Sequence, residues 1–206
     1  MGQVLCFGDS NTYGYEPYTA GRHDYNERWT GILAQLVQKD GHRVIEEGLC
    51  GRTAIFDDPD RDGRNGGKLF PILLETHAPV GVAIIMLGTN DCKTCYHATA
   101  EDIGNGVRKL IRQARDYDPK LNILLVSPIH LGDDVWDGYD YAYDAHSVEV
   151  SKQLGDAFER VAKEENTYFM RASDYAKPSL GDRQHIDAED HKKLAYGIYD
   201  KIKDIL

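Results

Sequence analysis

The sequence predicts a three-layer α/β/α sandwich built on a five-stranded parallel sheet. Three observations carry that expectation. Short apolar runs alternate with amphipathic stretches along the whole chain. One run, Val82 to Leu87, is unbroken and rich in β-branched residues, as a strand covered on both faces is. The ends of the runs carry Gly, Asn, Ser or Pro, the residues of tight turns. Strands alternating with helices imply right-handed crossovers. The strand order 2-1-3-4-5 is expected, because it leaves a crevice beside the first strand.

Taken in order, residues 3–7 read as the first strand, ending in Gly8-Asp9-Ser10-Asn11. Glu27 to Lys39 carries Trp29, Ile32, Leu33, Leu36 and Val37 at helical spacing, and Gly41 stops the helix. Arg43 to Glu47 is the second strand and Val82 to Leu87 the third, central one. Residues 101–116 form a helix with Ile103, Val107, Leu110 and Ile111 on one side. Leu121 to Val126 is the fourth strand, closed by Ser127-Pro128, and residues 145–165 a long helix. Thr167 to Met170 is a short last strand. Asp187 to Leu206 is the closing helix, with Leu194, Ile198, Ile202 and Leu206 repeating at i+4. Tyr13 to Tyr25 and Gly132 to Asp144 are too irregular for core; they read as substrate-pocket walls, an oligomer contact or solvated loops.

The chain has 206 residues and neither repeats nor a linker, so a single domain, 1–206, is expected. A net charge of −10 argues against nucleic acid or an anionic membrane surface as partner. Met1-Gly2-Gln3 runs straight into a strand, without the pattern of a secretion signal, so a cytoplasmic protein is expected. Cys6 and Cys50 read as reduced thiols; Cys92-Lys-Thr-Cys95 has redox spacing without thioredoxin surroundings. No cofactor and no metal site is expected.

Four blocks carry chemistry. Ser10 follows the first strand, at the sheet edge where open α/β folds place reactive groups. The same tetrapeptide also suits an ordinary turn with Asp9 or Ser10 as helix cap. A serine hydroxyl needs a base to take its proton, and the base needs an orienting carboxylate. Asp182 and His185, three residues apart in a turn before the last helix, supply both; His191 is a competing base one turn into that helix. The oxyanion needs donors. Ser10 offers its own N–H, Gly51 after the second strand a backbone N–H, and Asn90 after the third a side-chain amide.

In Gly-Asp-Ser-Asn, Gly51, Gly-Thr-Asn-Asp and Asp-x-x-His, the sequence resembles the SGNH (GDSL-type) hydrolases, over residues 8 to 185 and in the family's order. Arg28-Trp29-Thr30-Gly31, Glu46-Glu47-Gly48-Leu49, Asp57-Asp58-Pro59 and Ile85 to Asp91 look like its bacterial arylesterase/acyltransferase branch. The resemblance implies a catalytic set of Ser10, Asp182 and His185 and an oxyanion hole of Ser10, Gly51 and Asn90. It also implies hydrolysis of a small short-chain ester, acyl transfer to alcohols in some members, and a homo-oligomer. Where the family usually has Asp-Gly-x-His, Arg183 stands in place of the Gly. Carbohydrate O-acetyl esterase and thioesterase are alternatives within the fold. A catalytically silent small-molecule binder is the alternative outside enzymes, and it has no need of all five groups.

Overall fold

The computed structural model describes residues 2–206. Strands β1 (Gln3–Gly8), β4 (Arg43–Gly48), β5 (Val82–Met86), β6 (Asn122–Ser127) and β7 (Tyr168–Arg171) form one sheet, order β4-β1-β5-β6-β7, all pairs parallel. Counting sheet strands alone, this is the order 2-1-3-4-5 with the long apolar run at the centre. A small antiparallel pair, β2 (Tyr15–Glu16) and β3 (Gly21–Arg22), lies in the first irregular stretch.

Alternation within each strand divides the apolar residues between two layers. Leu5, Phe7, Ile85 and Leu125 face helices α3 (Gly66–Thr76), α4 (Ala100–Tyr117) and α5 (Ala145–Glu164). Val4, Cys6, Ile84 and Val126 face α2 (Trp29–Gln38) and α6 (Ala188–Ile202), with Trp29, Leu33, Leu194 and Ile198 buried between. Arg28 grips Glu46 on β4 with two bonds of 2.6 and 2.7 Å, fixing the start of α2 against the sheet edge.

The differences from expectation are local. Helix α3 falls where no helix is expected. The closing helix ends at Ile202, and Asp187, its cap residue, makes no side-chain cap bond. The second irregular stretch is partly core, because Val135 and Tyr143 are buried in the main cluster. All four cysteines are free, with Cys6 and Cys92 buried. Among the described residues no helix is long and apolar enough to cross a membrane.

Candidate active site

The register fixes where the site must be. Gly8 pairs with Gly48 on one side and Met86 on the other, so three strands end at one level of the sheet. The segments leaving those ends carry Ser10, Gly51 and Asn90. A short helix, α1 (Ser10–Tyr13), begins at Ser10 itself, and Asp9 caps it by accepting the Asn11 N–H at 2.9 Å. Gly48 lets α1 approach β4, since a Cβ there would lie 2.1 Å from the Tyr13 nitrogen.

The turn before α6 delivers His185, the candidate base. His185 Nε2 lies 2.7 Å from Ser10 Oγ, and His185 Nδ1 lies 2.6 Å from Asp182 Oδ2. With a carboxylate at Nδ1, the ring's proton belongs there and the Nε2 lone pair faces the serine. Asp182 Oδ1 accepts the backbone N–H groups of His185 and Gln184 at 2.9 and 3.1 Å. Burial pushes the Asp182 carboxyl up, but the hydrogen bond and charge of His185 with these N–H groups outweigh it. The net result is a carboxyl below its ordinary range, ionised beside the imidazole. His185 is buried, whereas Ser10 is half-buried and open to a substrate.

The two donor segments meet each other. The Asn90 amide donates to the carbonyl of Arg52, the residue after Gly51, at 3.1 Å. Gly51 has φ +84°, in the left-handed region, and a Cβ there would lie 2.1 Å from Arg61 Nη2. Arg52 is buried and donates to the carbonyls of Gly8, at 3.0 Å, and of Glu47, tying the ends of β1 and β4 together. Asp91 holds the Ala54 N–H with both oxygens, at 3.0 and 2.9 Å. His191, the competing base, is fully buried and accepts the Trp29 N–H on Nδ1 at 3.3 Å. Burial, with the nearby His23, holds it down to about 3, so it stays neutral.

Three residues given no role from sequence support the candidate site, two beside His185 and one under the strand ends. Asn11 donates to the Gln184 carbonyl at 3.2 Å and accepts the Ile186 N–H at 3.2 Å, gripping the chain on both sides of His185. The Tyr15 ring lies 4.3 Å, centroid to centroid, from the His185 ring. Arg52 is the third. Asn11 and Arg52 adjoin Ser10 and Gly51 in sequence, and that adjacency is the signal available from the chain alone. Among the described residues no group of three or more His, Cys, Asp or Glu is arranged to hold a metal.

The chain matches the pattern of the GDSL-like lipase/acylhydrolase family over residues 6–194. Among solved structures it is similar to a carbohydrate acetylesterase family member from Sinorhizobium meliloti, at 34% identity and a TM-score of 0.93, covering 100% of this chain and 99% of that one. It is similar to Est24, a carbohydrate acetylesterase from the same organism, at 34% identity and a TM-score of 0.92, with 100% of both chains covered. An inhibitor-bound M. smegmatis aryl esterase matches at 29% identity and a TM-score of 0.92, again over 100% of both chains. No curated protein matches the chain.

Proposed function

The chain belongs to the GDSL-like lipase/acylhydrolase family and is a carboxylic ester hydrolase, and from that premise we propose that it cleaves short-chain esters through an acyl-enzyme on Ser10. The observation that supports this best is the unbroken relay Ser10–His185–Asp182, at 2.7 and 2.6 Å. Ser10 Oγ attacks the carbonyl carbon while its proton passes to His185 Nε2. The oxyanion is received by the N–H groups of Ser10 and Gly51 and by the Asn90 amide. His185 then protonates the leaving alcohol. Water, activated by the same nitrogen, releases the acid; an alcohol in its place gives acyl transfer. Asp182 stays ionised and offsets the imidazolium charge.

Carbohydrate acetyl esters are the second reading, favoured by the two 34%-identical relatives from Sinorhizobium meliloti. A panel of aryl acetates, longer aryl esters and acetylated sugars ranks the two. Ser10→Ala tests the chemistry itself. It removes a side chain whose one described bond is to His185, so the fold should survive while p-nitrophenyl acetate turnover disappears. Turnover retained by a folded Ser10→Ala protein would overturn the assignment.

A further inference from the structure

Arg183 sits between the carboxylate and the imidazole of the site, one residue after Asp182 and two before His185. Its backbone has φ +65°, a conformation that a side chain disfavours and glycine adopts freely. A large side chain held there has something to hold it. Its guanidinium Nε lies 3.0 Å from Asp134 Oδ1, at ion-pair distance though not aligned as a hydrogen bond. Its guanidinium carbon stands 5.3 Å from the centre of the Tyr139 ring. Its carbonyl accepts the Gly132 N–H at 2.7 Å. The next residue repeats the pattern, with Gln184 Nε2 donating to Asp140 Oδ2 at 3.1 Å. Gly132 permits the approach, because a Cβ there would lie 2.9 Å from Arg183 Cβ. The far side of the loop is fixed to the core by Val135 and Tyr143.

We propose that Arg183 is a positioning residue that ties the 132–144 loop to the turn bearing Asp182 and His185, and so makes that loop the wall that selects the leaving alcohol. The assignment of side follows from the chemistry and rests on the acyl-enzyme reading above. His185 hands its proton to the departing oxygen, so the alcohol leaves on the imidazole side, where Arg183 and Gln184 fasten the loop. An ion pair half open to solvent is weak alone. Here it acts with two hydrogen bonds and an aromatic contact, all between the same two segments.

Two acetyl esters that form the same acyl-enzyme separate this role from a merely structural one. p-Nitrophenyl acetate loses an anion that needs no proton. 2-Phenylethyl acetate loses an alcohol that must be protonated and must sit against the wall. Arg183→Gly relieves the backbone and removes the ion pair and the aromatic contact while the two hydrogen bonds stay, so its melting temperature should equal or exceed that of the parent. Its kcat/KM for 2-phenylethyl acetate should fall roughly tenfold, a fraction of what a well-placed general acid contributes. Turnover of p-nitrophenyl acetate should stay within about twofold, since no general acid is needed there. Asp134→Ala should shift the ratio of the two esters the same way by a smaller factor, and the double variant should fall no further than Arg183→Gly alone. If Arg183→Gly fails to fold, Asp134→Ala carries the comparison. An unchanged ester ratio, in an enzyme whose Ser10 still reacts with a fluorophosphonate, overturns the proposal alone. A parent enzyme that takes no fluorophosphonate on Ser10 overturns the acyl-enzyme reading and this proposal with it.

Discussion

At the scale of single residues, the position of His185 depends on Asn11 as much as on Asp182. Asp182 holds the ring and the N–H groups of residues 184 and 185, and Asn11 holds the same turn through the Gln184 carbonyl and the Ile186 N–H. Asn11 is itself buried, and its carbonyl takes the Trp29 indole N–H at 3.1 Å. Asn11→Ala leaves the part-buried Gln184 carbonyl and the buried Ile186 N–H unpaired, which costs about 1–3 kcal/mol. It also frees the imidazole to drift, and a misplacement of about 1 Å can lower turnover about 100-fold. The expected result is a folded, less stable protein with kcat down by one to two orders of magnitude and KM little changed, read by steady-state kinetics on phenyl acetate. A variant with parental kcat would show that Asp182 suffices. Ser10, Asp182, His185, Gly51 and Asn90 stand out as candidates in the chain because each chemistry demands a residue type at a strand end or helix start, and the structure brings Ser10, His185 and Asp182 into contact. The Asn11 clamp is not legible there, because an amide's partners 173 and 175 residues away are set by tertiary pairing rather than by spacing.

At the scale of elements, legibility followed the strength of the local signal. Helix α4 carries a capping box, Thr99 with Asp102, and an apolar stripe, so sequence and structure agree to within a residue at each end. Helix α3 carries the opposite signals, Gly66-Gly67 at its start and Pro71 inside it, and was missed. Proline cannot donate to the carbonyl four residues back, that of Gly67. Gln113 on α4 supplies the missing donor at 2.8 Å, and Phe70 stacks on Phe7 at 4.6 Å. The helix therefore exists because of its neighbours, which no local reading shows. Helix α5 offers a direct test of a local signal. Asp144 accepts the Ser147 N–H at 2.8 Å and ends the 132–144 loop. Asp144→Ala should cost about 1 kcal/mol. Urea unfolding should show this as a lower midpoint at constant slope; an unchanged midpoint would mean that packing alone holds the helix start.

At the scale of the whole molecule, the candidate catalytic rim is assembled on buried carboxyl groups. Asp9 and Asp91 are both buried under the strand ends, where they hold the backbone of α1 and of the segment after Gly51. Burial pushes the Asp91 carboxyl up to about 7, against the pull of the Ala54 N–H, and pushes Asp9 up to about 6. Both values lie above the ordinary carboxylate value of 3.8. The unfolded chain thus loses these protons near pH 4, while the folded protein keeps them until pH 6 to 7. Over that window the folded state binds more protons, so stability falls as pH rises and levels off above about pH 7. Asp91→Asn keeps an acceptor for Ala54 and cannot ionise. Its stability relative to the parent should therefore increase between pH 4.5 and pH 8. Paired urea melts at the two pH values measure this. A difference that stays constant, or that moves the other way, would mean that Asp91 is ionised throughout and that its backbone donors outweigh its burial.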